Sequence, residues 1–430
     1  MSSREWKETV LGDFIDIKHG YAFKGEFFSN TETEDILVTP GNFKVGGGFK
    51  QDKLKYYNGE CPEEYILKPN DVIVTMTDLS KMGDTLGYSA LVPRNKKKRY
   101  LHNQRIGLVE PLNNKVSLLF IYWRLRSNDY QKYIVASASG STVKHTSPKI
   151  IKSFQLNLPP LQEQKTIADT LSCLDDMIEL NNRTNQVLEE MVQGIFKRWF
   201  VDFEFPNEDG EPYKSSRGEM VDSELGEIPK GWEIKLLGDC IESIDNRGKT
   251  PPLSTDKTDY PIIDVKALSG DSRIIDYGNC TKYVNRDIYE NWFRSGHPRY
   301  FDILLSTVGS LAQMKIFFGD VGCIAQNVVG LRSISVSPLF LYEYLKSIRN
   351  DLISYDIGSV QPSIKVTHII KHKILLPNND LLTAYDKMSS SISKLIYQNS
   401  TLNQKLASIR DTLLPKLMSG EIRVPIEEVV

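Results

Sequence analysis

LQEQKTIADTLSCLDDMIELNNRTNQVLEEMVQGIFKRWF, residues 161–200, decides the fold. The stretch has no proline and a single glycine, Gly194. Apolar side chains recur at alternating steps of three and four: Ile167, Leu171, Leu174, Ile178, Leu188, Val192, Ile195 and Trp199. Asn181 and Asn185 occupy the same seam in its middle. This is a heptad pattern with two consecutive polar layers. A helix of this length spans roughly 60 Å at about 1.5 Å per residue. One helix cannot bury such a seam alone, so the pattern predicts a partner.

The partner lies in the same chain. At an offset of 218 residues, Leu174, Asn181, Leu188 and Ile195 fall on Ile392, Asn399, Leu406 and Leu413, and Asn185 falls on Asn403. An asparagine in an apolar seam costs stability but fixes register, because another polar layer must satisfy it. Asn181, Asn185, Asn399 and Asn403 are therefore the expected register residues of a helix pair.

Residues 1–156 read as a mixed α/β unit. Short β-rich runs at 35–40, 71–76, 87–93 and 105–111 are separated by turn residues. A helix is expected from Val116 to about Ala138, and a last strand at 154–160 ends on Pro159-Pro160. Residues 204–230 are polar and rich in Gly, Pro and acids, and read as a linker. The first unit then restarts. Trp6 with Leu11-Gly12-Asp13 matches Trp232 with Leu237-Gly238-Asp239, and DVIVTMT at 71–77 matches DILLSTV at 302–308. Asn103–Leu108 is aligned with Gln326–Leu331, and Gly140-Ser141 with Gly358-Ser359. The expected order is a globular unit at 1–156, a helix region at 157–203, a linker at 204–230, a second globular unit at 231–374 and a helix region at 375–430. The fold class is α/β (α+β) in tandem repeat, with two long helices forming an antiparallel coiled coil and a pseudo-twofold arrangement.

The composition is ordinary for a globular protein: 40% hydrophobic, 25% charged, and a net charge of −2 from 53 basic and 55 acidic residues. Bulk charge gives no support for a nucleic-acid partner, so any such site must segregate its positive charge locally. Five dispersed cysteines form no CxxC pair and fit a reduced, cytoplasmic protein. The N-terminal residues lack a signal-peptide core, and no apolar run approaches bilayer length.

The search for catalytic motifs returns little. Gly248-Lys249-Thr250 lacks the upstream glycine of a phosphate-binding loop, because Ser243 stands there. Gly46-Gly47-Gly48 reads as a flexible loop, with an anion nest as the alternative. His368 and His372 have no third metal ligand near them, and no nucleophile triad is defensible. Basic clusters remain: Arg94, Lys96, Lys97, Lys98 and Arg99; Lys144 and His145 after the Gly-Ser turn, with Lys365 near the equivalent place; and Arg294 and Arg299 among aromatics. Within a duplicated unit these are candidate phosphate contacts.

LPPLQEQKTIADTLSCLDDMIE, NNRTNQVLEEM and FKRWFVDF closely resemble the central region of specificity subunits of type I restriction-modification systems. SVQPSI at 359–364 and LLPKLMSGEIRV near the C-terminus resemble the matching second region. The resemblance implies that each globular unit is a target-recognition domain reading half of a split double-stranded DNA site. It implies that the helices space the half-sites and dock modification subunits, two in number, with Phe196, Arg198, Trp199 and Phe200 as candidate docking residues. No cofactor is expected in this chain. S-adenosylmethionine would belong to the modification subunit, ATP and Mg to a restriction subunit. The chain itself is expected to be non-catalytic, bacterial or archaeal, and cytoplasmic, with no membrane partner.

Overall fold

Strands form where the β-branched runs predicted them, and the first and last strands of each globular region find each other. The computed structural model describes residues 5–425. Residues 1–4 and 426–430, the ends of the first and last expected segments, lie outside the described residues. The chain divides into two units. One runs to Ile178 and takes in the chain from Lys405 on; the other is Glu179–Gln404. Each unit thus combines a globular region with a length of both long helices, Leu161–Phe196 and Asn379–Ser419.

In the first unit, Lys7–Val10 pairs antiparallel with Gln155–Leu158 and closes the region on itself. A four-stranded antiparallel sheet runs in the order Ile15–His19, Ile106–Pro111, Val72–Thr75, Ser89–Leu91. A second sheet holds Asp35–Val38 beside Lys55–Tyr57 on one edge and, in parallel, Arg99–His102 on the other. The expected long helix at 116–138 is instead two short ones, Leu118–Arg124 and Asn128–Ala136. The break falls at Leu125–Ser127, where Ser127 begins a new helix and its hydroxyl turns back to the Arg124 carbonyl. Phe120, Trp123 and Tyr130 enter the core from these two helices, where Ile167 and Leu171 of the central helix meet Leu414 and Leu417 of the C-terminal one. Each such fully buried aliphatic or aromatic side chain contributes roughly 1.5–3 kcal/mol.

The second unit repeats the plan. Glu233–Leu236 pairs antiparallel with Lys373–Leu376, and a four-stranded sheet runs in the order Ile241–Ile244, Val328–Ser333, Ile303–Ser306, Met314–Ile316. Its core joins Leu305, Leu331 and Phe340 to Val192 and Phe196 of the central helix, Phe200 of the π-helical turn Lys197–Val201 that follows it, and Tyr385 of the C-terminal helix. Residues 204–230, expected as a linker, are structured instead. They carry a hairpin, Met220–Ser223 with Gly226–Pro229, and bury Phe205 and Ile228 in the second core. Phe205 stacks between Tyr213 and Trp232, with ring centroids 4.5 and 5.4 Å away. A few aromatic and aliphatic anchors outweigh the polar composition that suggested a linker.

The two helices run antiparallel within each unit. In the first, Asp175 accepts hydrogen bonds from Arg410 (2.5 Å) and Arg126 (2.8 Å). In the second, Asn181 donates to Asn403 and Asn399 donates to Asn185, each at 2.8 Å. Asn185 also donates to Ser400 Oγ and the Ile396 carbonyl. The four seam carboxamides thus satisfy one another, the condition for tolerating polar layers in a coiled coil.

Each globular region also grips its helices with one buried arginine. Arg126 lies over Trp123, donates to the Gly46 carbonyl at 2.9 Å and reaches Asp175. The triple glycine read as a flexible loop or anion nest is neither. A side chain at Gly47 would strike Arg126 at 2.5 Å, and the Gly46 carbonyl faces a cation. Arg273 is fully buried and donates to Glu189 on the central helix, Glu343 and Ser393. Burial works against ionisation of Glu189, but the Arg273 charge and hydrogen bonds more than offset it and hold its carboxyl below the usual range. Glu343 is pushed up by burial despite the same arginine.

Arg273→Ala leaves two carboxylates buried without their guanidinium. It is expected to cost about 3–5 kcal/mol in urea unfolding near neutral pH. The deficit should narrow as pH falls toward 5, because protonation removes the uncompensated charge. A variant as stable as the parent at pH 7 would show that Arg273 does not secure the helices.

Candidate nucleic-acid interface

Strand register aligns the two units residue by residue. In the first, Leu37 lies opposite Lys55 on one side and Leu101 on the other, and Ile106 lies opposite Thr75. In the second, the Ile262 amide bonds the Lys282 carbonyl at 2.9 Å, Ile262 bridges Cys323 in parallel, and Val328 lies opposite Ser306. Tyr56 faces Ile36 as Tyr283 faces Pro261. Leu101 therefore corresponds to Cys323 and Ile106 to Val328. This corrects the sequence alignment of Asn103–Leu108 with Gln326–Leu331, which is displaced by one residue. The shared Gly-Leu at 107–108 and 330–331 had set that alignment, and pairing of the neighbouring strands overrides it.

A cleft opens beside this region in each unit. The first, about 450 Å³, is floored by Phe23, Phe28 and Leu37 and rimmed by Lys50, Lys53, Lys55 and Arg105, with Asn103 and Gln104 at its edge. The second, about 180 Å³, has Lys266 and Lys282 with Gln326, Asn327 and Thr250. Lys50 is partly neutralised by Asp52 at 3.3 Å, and the second cleft also contains Asp264. Sequence reading missed these lysines because Lys50, Lys53 and Lys55 lie far along the chain from Asn103, Gln104 and Arg105, as Lys266 and Lys282 do from Gln326 and Asn327. A signal was present: the Lys-Tyr dipeptide recurs at 55–56 and 282–283.

The turn at the first cleft is held rigidly. The Tyr21 amide bonds the His102 carbonyl, and the Gln104 amide bonds the Tyr21 carbonyl at 2.9 Å. His102 is fully buried and burial pushes its pKa down to about 4, so the ring is neutral and Nε2 donates to the Ile106 carbonyl at 2.8 Å. The imidazole spans the turn from one end to the other.

The basic clusters singled out from sequence meet different fates. Arg99 forms a two-pronged ion pair with Asp35, and Lys98 pairs with Glu32 at 2.7 Å. Arg94, Lys96 and Lys97 stay exposed on the same loop. Lys144 and His145 form a short strand against Asp78 and Thr77, and His145 Nδ1 meets the Thr77 hydroxyl at 3.2 Å. The turn before them needs glycine, since a Cβ at Gly140 would strike the Val143 carbonyl oxygen at 2.0 Å. Gly358 is as tightly placed against Gln361, and Lys365 is exposed just beyond. Arg294 donates to the Arg247 carbonyl at 2.9 Å, and Arg299 is exposed. None of these ten residues lines either cleft.

Phe196 and Phe200, expected as docking residues, are instead core residues of the second unit, and Trp199 packs against that core. Arg198 is exposed. The aromatics of this segment face Phe340 and Tyr385, which leaves their rings little surface for a partner. Among the described residues no cluster of His, Cys, Asp and Glu could hold a metal, and no helix is long and apolar enough to cross a membrane.

The family model described as the type I restriction modification DNA specificity domain matches residues 3–190 and again 229–410. Curated relatives include the type I restriction enzyme MjaIX specificity subunit of Methanocaldococcus jannaschii, 26% identical over 79% of this chain and 76% of its own. The EcoBI specificity subunit of Escherichia coli is 27% identical over 97% of this chain and 86% of its own. A crystal structure of a type I restriction-modification S subunit from M. genitalium shares the fold, with a TM-score of 0.55, 16% identity and 97% coverage of both chains.

Burial of His102 predicts a pH dependence. Between about pH 4 and 6.5 the unfolded chain binds a proton here that the folded chain does not, so stability falls as pH falls through that window. Moving from pH 7.5 to 5.0 should remove about 2 kcal/mol through this residue. His102→Gln should lose correspondingly less in paired urea titrations. Equal losses in parent and variant would rule out a neutral, buried imidazole.

Proposed function

This chain belongs to the type I restriction modification DNA specificity family, and on that premise we propose that it is the non-catalytic subunit that chooses the DNA target for a methyltransferase complex. Each unit reads one half of a bipartite double-stranded site, and the helix pair sets the gap between the halves. Modification subunits, two in number, dock on the helices and methylate an adenine in each half with S-adenosylmethionine. Restriction subunits add ATP- and Mg-dependent cleavage. The single observation that carries this reading is the duplication: two units of one topology, each built on its own length of the same two helices. A reader of two similar half-sites needs two similar heads, and helical DNA fixes their separation in steps of about 34 Å.

Docking is supported by the exposed side of the helix pair in the second unit. Glu189, on one flank of the seam, is buried under Arg273. On the other flank Val187 and Met191 of the central helix and Leu395 and Leu402 of the C-terminal helix are all 40–54% exposed. In an antiparallel pair these positions border one groove. An apolar groove between two helices suits the amphipathic helices of a partner subunit. This groove replaces the aromatic segment at 196–200 as the docking surface.

Two measurements test the reading. Long-read sequencing of host DNA with the gene intact should show a bipartite methylated-adenine motif that disappears on deletion; an unaltered methylome would exclude the function. The double variant Val187→Glu/Leu402→Glu should melt within about 2 °C of the parent yet fail to co-purify with the modification subunit. Undiminished co-purification would place the docking surface elsewhere.

A further inference from the structure

Between the corresponding anchors Leu101 and Ile106 in one unit, and Cys323 and Val328 in the other, lie four residues. The third of the four is a glutamine in both, Gln104 and Gln326. Both side chains are exposed, and both border the cleft of their unit. Each cleft also carries the corresponding lysine of the neighbouring strand segment, Lys55 or Lys282. The rest of the two turns differs: Asn103 and Arg105 stand where the second unit has Ala325 and Asn327.

The backbone under each glutamine is fixed. Gln104 is tied to Tyr21 through its amide, and the buried His102 braces its turn. Gln326 sits at φ +56°, a left-handed conformation that costs a non-glycine residue about 1 kcal/mol or more. Its side-chain amide is steered by a hydrogen bond to the Thr250 hydroxyl. A glutamine amide offers a donor and an acceptor in one plane, which matches N7 and the N6 amino group of adenine in the major groove. A lysine beside it is a point charge suited to a backbone phosphate, which sets position without carrying sequence.

We propose that Gln104 and Gln326 are corresponding base-reading side chains, each contacting an adenine in its own half-site, with Lys55 and Lys282 as the accompanying phosphate contacts. This rests on the function proposed above.

The test uses the full chain co-expressed with its modification subunits, with the methylated motif read by long-read sequencing. Gln104→Ala should relax one A·T position in one half-site, lowering discrimination there roughly 10- to 100-fold, and leave the other half unchanged. Gln326→Ala should do the converse. Gln104→Glu, which keeps shape and removes the donor, should shift preference at that position toward C. Lys55→Ala should weaken binding to all sequences alike and reduce the salt dependence by about one counterion. Melting curves of the complexes confirm that the variants are folded. If all glutamine variants methylate the parental motif at parental rates, this assignment falls while the specificity function stands. If the parent complex itself yields no bipartite motif, the function falls and takes the assignment with it.

Discussion

Everything in this structure hangs on four asparagines finding one another across a helix pair. Asn181 with Asn403 and Asn185 with Asn399 fill two consecutive layers of a largely apolar seam. A slip by one heptad would set carboxamides against Leu188 or Leu406, leaving donors unsatisfied in a half-buried layer at about 1–3 kcal/mol each. The layers alone do not choose direction, because asparagines four residues apart match in either sense. The flanking charges do. Asp175 meets Arg410 only when the helices run opposite ways. In a parallel pair at the 218-residue offset it would face Ser393. Seam and flank together leave one register.

The two flanks of the helix pair are treated differently by the globular regions. Asp175 and Glu189 are fourteen residues apart on the same flank of the central helix, and each receives a buried arginine from the globular region of its own unit. The arginines come from unrelated positions. Arg126 follows a short helix, whereas Arg273 sits in a loop whose Gly270 and Ser272 carbonyls are held by the ammonium of Lys315. The duplication preserved the constraint without preserving the residues. The ionic grip costs desolvation at both partners, so its worth lies in fixing a geometry more than in raising stability. The opposite flank in the second unit is left apolar and open.

The helices, their pairing and the tandem plan were legible from heptad spacing, the 218-residue offset and the repeated Trp…Leu-Gly-Asp start. Strand positions followed from β-branched runs between turn residues. What failed did so for local reasons. Composition marked 204–230 as a linker, but Phe205 and Ile228 suffice to bind it to a core. FKRWF has the look of an exposed aromatic patch, yet Phe196 and Phe200 face inward because each lies one residue past the seam positions Ile195 and Trp199, on the flank that Glu189 also occupies, where the core of the second unit packs. Arg94–Arg99 is the densest positive run in the sequence, but density along the chain is not density in space, and two of its members are committed to Asp35 and Glu32. Beyond the repeated Lys-Tyr at 55–56 and 282–283, nothing in the linear sequence marks the cleft lysines and glutamines as neighbours. They become neighbours only through the parallel pairing of segments some sixty residues apart, which no short window contains.

The net charge of −2 gave no hint of a nucleic-acid partner. Net charge measures the far field, and at physiological ionic strength that field decays over about 8 Å. A surface can be near neutral overall and still present three lysines and an arginine around one cleft, as the first unit does. Such a surface gains little general affinity for DNA, because few phosphates are neutralised and few counterions released. It keeps whatever discrimination its amides provide, because base-edge hydrogen bonds depend on fit and not on summed charge. In the function proposed above, where target choice and chemistry belong to different subunits, the two have reason to be separated. Weak general attraction lowers the occupancy of the many wrong sites, and under the assignment proposed above a rigid turn such as the one braced by His102 would limit the poses in which a wrong base is accommodated.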